Sequence, residues 1–241
     1  MHTGKIIKVV QQTPNTRQIF LKVIGDEPFE FKAGQFITMD LPIHESRRKR
    51  LRSYSIANRP GEDNVLEFTI THMGGAGTEY LFNVAKEGTL IEFNGPGGVF
   101  TLPEEVNTDL VFICTGTGVA PFRSMIFDLL EHKKPHKNIH LIFGTRYASG
   151  ILYRHEFEQL EKEYLHFKYS VALSQEENLP GVSFEVRQGY VHEIYRKHYK
   201  GNFKNKKFYL CGWANMVDEA ADVLKSEIGC EAGQVIYELY G

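Results

Sequence analysis

The chain has 241 residues, with 28 basic and 30 acidic side chains and a formal net charge of -2, a length that suits two domains of roughly 100–150 residues better than one. With 42% hydrophobic and 24% charged residues it is composed like an ordinary globular protein, and the near-neutral balance argues against a dedicated nucleic-acid binder. No apolar run approaches the roughly 20 residues of a membrane span, and Met1-His2-Thr3-Gly4-Lys5 opens no signal-type apolar stretch, so a cytoplasmic protein without membrane attachment is expected. Cys114, Cys211 and Cys230 lie far apart. They form no CxxC motif and cannot supply the four thiolates of an ordinary iron–sulfur cluster. The histidines show no HExxH spacing, and no metal site is expected.

From residue 4 to about 100 the pattern is short and strand-like. Lys5–Val10, Gln18–Val23, Gln35–Met39 and Val65–Ile70 are β-branched or aromatic runs, separated by Pro14-Asn15, Gly25-Asp26 and the Arg59–Asn64 turn. About six strands at this spacing predict a small antiparallel barrel, interrupted by one helix from Ala76 to Val84 that Thr78 caps or begins. After Gly95-Pro96-Gly97-Gly98 the rhythm changes. Apolar strands at Leu110–Cys114, Ile139–Phe143, Phe167–Val171, Phe208–Cys211 and 234–239 alternate with helices at 119–132, 152–163 and 214–228, which predicts a parallel, doubly wound sheet. The domains are therefore expected at 1–102 and 103–241.

Three segments carry chemistry. Thr115-Gly116-Thr117-Gly118-Val119-Ala120-Pro121 follows the first parallel strand directly. Its glycines let backbone approach a phosphate at a helix N-terminus, and Pro121 suits a first helical turn. The third glycine of the dinucleotide fingerprint is absent, so a plain glycine-rich turn is the competing reading. Along Arg52-Ser53-Tyr54-Ser55-Ile56-Ala57-Asn58, alternation places Arg52, Tyr54 and Asn58 on one strand face. The bland alternative is a barrel strand with a polar outer side. Gly74-Gly75-Ala76-Gly77-Thr78 feeds a helix start and is a second potential phosphate site.

Taken in order, these segments resemble the ferredoxin–NADP reductase family of flavoprotein reductases over essentially the whole chain. Gly34-Gln35-Phe36 resembles its early GQ-aromatic strand, Arg52-Ser53-Tyr54-Ser55 its RxYS flavin motif, and Gly75-Ala76-Gly77-Thr78 its flavin-phosphate turn. Gly95–Phe100 resembles the domain junction, Thr115–Pro121 the nicotinamide-nucleotide loop, and Cys211-Gly212 with Met216 the late CG turn. The resemblance implies FAD and NAD(P)H as cofactors. It assigns Arg52, Ser53, Tyr54, Ser55, Gly75, Gly77 and Thr78 to the flavin, with Arg52 on the pyrophosphate, where a fork of donors suits phosphate oxygens. Tyr54 would pack on the isoalloxazine and Ser55 bond near its N5.

By the same resemblance Thr115, Gly116, Thr117 and Gly118 hold the nicotinamide nucleotide, while Cys211 and Gly212 lie beside the nicotinamide. A small apolar residue ending a buried strand is the other reading of Cys211. The Val235–Gly241 ending resembles that of plant-type members, so Glu238 would approach the reacting rings and Tyr240 would cover the flavin. Ser55, Cys211 and Glu238 are the expected catalytic residues. NADPH-using members place a Ser-Arg pair where Ser174-Gln175-Glu176-Glu177 stands here. Gln175 lacks the charge, which favours NADH, although Arg146 and Arg187 offer positive charge nearby. The basic run Arg47–Arg52 either steers an acidic electron carrier or is a solvated loop.

The expected protein is thus an FAD-dependent NAD(P)H oxidoreductase that works as a monomer with a ferredoxin or flavodoxin as its partner. The alternatives are the reductase component of an oxygenase, a cytochrome-b5-reductase-like enzyme, and a non-catalytic flavin-binding electron-transfer subunit.

Overall fold

The computed structural model describes residues 1–61 and 63–240. The chain forms two compact units: Met1–Leu102 with Ala120–Lys133, and Pro103–Val119 with Lys134–Gly241.

The first unit is a six-stranded antiparallel sheet of β1 (His2–Thr13), β2 (Thr16–Val23), β3 (Phe36–Asp40), β4 (Leu51–Ser55), β5 (Val65–Thr71) and β6 (Leu90–Gly97), in the order β4-β3-β6-β1-β2-β5. Alternation puts one side of each strand inward. Ile6, Ile19, Leu21, Ile37, Met39, Leu66, Phe68, Ile91 and Phe93 build one core, which is the main stabilising term. Just past β4 the Ala57 N–H donates to the Glu67 carbonyl of β5 at 2.8 Å, so the two edge strands meet and the sheet closes. Two helices interrupt the strands, α1 (Arg47–Arg50) and α2 (Ala76–Asn83).

Helix α3 (Val119–Glu131) groups with this unit from Ala120 onward. Arg123 Nη1 lies 3.0 Å from both the Ala57 carbonyl and Glu67 Oε2, and Ser124 Oγ donates to the Asn58 carbonyl at 2.7 Å. Glu67 is only 4% exposed, and Gln18 Nε2 donates to its other oxygen at 2.7 Å. A buried carboxylate needs such partners, since desolvation alone would expel it.

The second unit is a six-stranded parallel sheet of β7 (Asp109–Thr115), β8 (Ile139–Thr145), β9 (Phe167–Leu173), β10 (Glu185–Gln188), β11 (Lys206–Trp213) and β12 (Val235–Tyr240), ordered β10-β9-β8-β7-β11-β12. Helices α5 (Val191–Tyr199) and α6 (Ala214–Val223, continued by a π turn to Ile228) pack on one face through Ile194, Tyr195, Val217 and Leu224. Helix α4 (Arg154–Glu163) covers the other, where the Phe157 ring meets Tyr169 at 5.4 Å. Strand order runs outward from β7 in one direction through β8 and in the other through β11. That reversal is the switch point at which open α/β sheets bind ligands, at the carboxyl ends of the strands. No helix among the described residues is long and apolar enough to cross a membrane.

Candidate cofactor and nucleotide sites

In the first unit, β4 pairs with β3 so that Arg52 stands opposite Met39 and Tyr54 opposite Ile37. Arg52 Nη1 donates to the Lys49 and Leu51 carbonyls, at 3.0 and 2.7 Å. Among the described residues no carboxylate pairs with it. The side chain lies across the start of α2: a Cβ added at Gly77 would sit 2.9 Å from Arg52 Cγ. Glycine is therefore the residue that lets the guanidinium and the helix start approach. Gly75 is the N-cap, with no side-chain cap bond and open space around it. Thr78 Oγ1 donates to the Gly75 carbonyl (3.0 Å) and accepts from Met73 N–H (3.3 Å), which fixes the turn. A guanidinium free of carboxylates beside uncapped helix amides fits a pyrophosphate.

Tyr54 packs on the barrel core, and burial pushes its hydroxyl up to about 12, with the Arg52 charge opposing. The phenol stays neutral and serves as a flat apolar wall. Ser55 is buried and ends the strand. Ser53 points the other way and shares a hydrogen bond with Thr38 Oγ1 at 3.0 Å. Asn58 does not share the strand face of Arg52 and Tyr54, because β4 ends at Ser55. The chain bends there to meet β5: Asn58 Nδ2 donates to the Val65 carbonyl, and its Oδ1 accepts from Glu67 N–H, both at 2.8 Å.

The basic run is also partly spent. Arg50 grips buried Asp40 at 2.6 and 2.7 Å and Arg47 adds a 3.2 Å contact, so the Arg50 fork holds the Asp40 carboxyl below its usual range. Arg48 and Lys49 are left exposed.

In the second unit, β7 runs into a single turn at Gly116–Gly118 before α3. Gly116 has φ +52, a left-handed conformation suited to glycine. A Cβ at Gly118 would lie 2.4 Å from the Cys211 carbonyl oxygen and 2.6 Å from Gly212 Cα, so backbone meets backbone here. Gly212 has φ +135, and Thr115 atoms fill the place of its missing Cβ. Thr115 Oγ1 then accepts from Trp213 N–H at 3.1 Å. The glycine turn and the CG turn form one knot at the switch point.

Beside it, Cys211 pairs in register with Cys114 on β7 and with Glu238 on β12. Burial pushes the Cys211 thiol up, the Glu238 charge adds to that, and a hydrogen bond with Tyr240 partly offsets both. Glu238 and Tyr240 turn inward while Tyr237 and Leu239 are exposed, as period-two alternation predicts. Gly241 lies outside the described residues.

On the β8 side, Gln175 N–H donates to the Arg146 carbonyl at 2.9 Å, joining the two loops. Both side chains are exposed. Glu176 Oε2 accepts from Ala148 N–H at 2.6 Å, which fastens a negative charge into this corner. Arg187, at the end of β10, leans on Glu185 at 3.2 Å. Among the described residues no group of three His, Cys, Asp or Glu side chains is placed to hold a metal ion. Sequence reasoning missed the fastening of Glu176 and the exposed Trp213, because both depend on contacts between distant loops.

Residues 3–102 match the family model of the oxidoreductase FAD-binding domain, and residues 112–222 that of the oxidoreductase NAD-binding domain. The chain is 30% identical to ferredoxin–NADP reductase B of Sorangium cellulosum over 243 residues, covering 98% of this chain and 96% of that protein. It is 31% identical over 224 residues to the reductase component of phenol 2-monooxygenase from Pseudomonas sp. strain CF600, covering 92% of this chain and 61% of that one. The chain thus spans about three fifths of that relative. In structure it is similar to an Amycolatopsis cytochrome P450 reductase, with TM-score 0.85, 26% identity, and coverage of 99% of this chain and 69% of that. A ferredoxin–NADP reductase of Neisseria gonorrhoeae shares the fold at TM-score 0.78 and 23% identity, with 98% and 97% coverage.

Proposed function

This chain belongs to the ferredoxin–NADP reductase family of FAD-dependent NAD(P)H oxidoreductases, and from that premise we propose that it takes electrons from NAD(P)H through FAD and delivers them to a separate protein acceptor. Bound FAD supplies a ring that accepts a hydride and can release electrons singly. The observation that carries this reading is Arg52, a guanidinium with no carboxylate partner among the described residues, laid across the open start of α2.

In this reading Arg52 and the amides of Gly75 to Thr78 hold the flavin pyrophosphate. Tyr54 walls the isoalloxazine, Ser55 bonds near its N5, and Ser53 braces the strand from behind. Residues 1–102 serve the flavin and 103–241 the nucleotide. Thr115, Gly116, Thr117 and Gly118 bind the dinucleotide pyrophosphate through backbone N–H groups and hydroxyls. Cys211 and Glu238 stand beside the nicotinamide, with Gly212 keeping the backbone low. Because burial keeps the Cys211 thiol protonated, it acts as a neutral neighbour and not as a nucleophile. Tyr240, held at Cys211, is the aromatic group that an arriving nicotinamide displaces. Gln175 without a charge and Glu176 fastened at Ala148 favour NADH, with Arg146 and Arg187 contacting the adenosine ribose.

The acceptor proposed is a ferredoxin or flavodoxin, approached in the cytoplasm by a monomer whose Arg48 and Lys49 face solvent. An oxygenase component is the second acceptor reading, favoured by the likeness to the phenol 2-monooxygenase reductase. Anaerobic mixing of the purified protein with NADH and with NADPH tests the core of this. Flavin absorbance should bleach, faster with NADH. A colourless protein, or a flavin that neither nucleotide reduces, rejects the reading.

A further inference from the structure

We propose that Trp213, the single tryptophan of the chain, is the stacking platform for the nicotinamide–ribose half of the bound dinucleotide. The inference rests on the reading of Thr115–Gly118 as the nucleotide turn. Trp213 is 61% exposed, although the five residues before it on β11, Phe208 to Gly212, are all buried. An indole left in water forgoes one of the largest apolar burials a side chain can make, and such residues are enriched where a ligand or partner covers them.

Its position limits what that ligand is. The Trp213 N–H is tied to Thr115 Oγ1 at 3.1 Å, so the residue is anchored to the turn that would take the pyrophosphate. It is also the N-cap of α6, without a side-chain cap bond. Gly212 immediately before it is locked against Thr115 backbone atoms, so the chain beneath the indole cannot drift from the turn.

The direction of the nucleotide follows from the sheet order. Arg146 and Gln175, which the proposed function sets against the adenosine ribose, lie on the β8–β9 side of β7, and Trp213 ends β11 on the opposite side. The half of the molecule that crosses to β11 is then the nicotinamide half, with Cys211 two residues before the indole. An electron-rich indole face attracts the electron-poor, cationic ring of the oxidised nucleotide through its quadrupole and dispersion. Exposed Tyr147 and Tyr190 lie on the far side of the switch point and cannot serve this half.

Because Trp213 is the only indole, its emission reports on the site directly. The flavin-loaded protein is titrated with NAD⁺, with NADP⁺, and with ADP-ribose, which lacks the nicotinamide ring. Saturable quenching by the dinucleotide and not by ADP-ribose is expected. Trp213→Ala should raise the Kd of the oxidised dinucleotide about tenfold, and Trp213→Phe should restore most of it. A silent indole at concentrations that saturate flavin reduction overturns the assignment, as does an unchanged Kd in Trp213→Ala. Equal quenching by ADP-ribose places the indole on the adenosine half and overturns it too, and quenching only by an added acceptor protein makes it a docking residue instead. If neither NADH nor NADPH reduces the flavin, the enzyme reading itself falls, and that result is distinct from the others.

Discussion

Each unit places glycines ahead of a helix, yet the two turns are built differently. In the first, Gly75 and Gly77 open the start of α2, and Arg52 lies across it without a carboxylate partner among the described residues. In the second, Thr115 to Gly118 contain no cation, and the tightness comes from backbone packed on backbone, Gly118 against Cys211 and Gly212. A charge-assisted bond to phosphate is about twice as strong as a neutral one. The contrast suits a cofactor that must stay in the first unit and a nucleotide that must leave the second after each turnover.

The largest expected effect breaks the second turn. Gly118→Ala puts a methyl carbon 2.4 Å from the Cys211 carbonyl oxygen, against backbone that cannot yield. Overpacking of this kind should cost about 3 kcal/mol of stability, seen in the urea midpoint, and should abolish flavin reduction by nucleotide. Full reduction kinetics in this variant would mean that the turn does not meet the nucleotide.

Arg52→Ala breaks the first turn by removing the cation laid across it. Loss of a charged hydrogen bond should weaken FAD retention by about 2–3 kcal/mol, read as the flavin-to-protein ratio after dialysis. Nucleotide affinity should stay as it is. A variant that keeps its full flavin through dilution shows that Arg52 does not hold the pyrophosphate.

Placing a cation in the second unit tests the comparison from the other side. Gln175→Arg should shift the ratio of kcat/KM toward NADPH roughly tenfold, equivalent to about 1.4 kcal/mol. No shift would place this loop away from the ribose 2′ position.

A last effect, on stability and not on either cofactor, concerns the opposite end of the same sheet, where His140 is buried. Its Nδ1 lies 2.6 Å from Tyr199 Oη and its Nε2 2.8 Å from Ser170 Oγ, whose hydroxyl reaches Glu185 at 3.2 Å. Burial holds the His140 pKa well below its ordinary 6.5, with the Lys168 charge adding to it. The unfolded chain therefore binds this proton first, and stability that is full above pH 6.5 declines as pH falls below it. One extra proton taken up on unfolding lowers stability by about 1.4 kcal/mol per pH unit. Thermal unfolding from pH 7.5 to 5 should show the decline, and His140→Gln should flatten it. An identical slope in that variant would assign the acid sensitivity to another group.

Much of this could be read along the chain. The change from period-two alternation to buried apolar strands followed by helices near residue 100 separated an antiparallel sheet from a parallel one, because side-chain period and burial on two faces are local properties. Six short motifs in order pointed to the flavin and nucleotide segments for a similar reason: a glycine ahead of a helix carries its backbone freedom with it. The end of β4 was less legible, since Asn58 leaves the strand only because the chain must turn to meet β5.

What remained belonged to contacts between distant residues. Nothing near Arg47 and Arg50 in sequence indicates that they would spend their charge on Asp40, ten residues or fewer upstream but brought there by the pairing of β3 with β4. Nor does the sequence tell which core α3 covers: the ion pair of Arg123 with buried Glu67 bridges 56 positions. The anchoring of Trp213 is of the same kind, since its backbone N–H bonds to Thr115 across 98 positions. Local pattern determined the elements and their glycine turns, because φ/ψ preference and periodicity act within a few residues. Which charges are free and which aromatic faces solvent was decided only by the tertiary structure, because desolvation and ion pairing depend on neighbours that folding supplies.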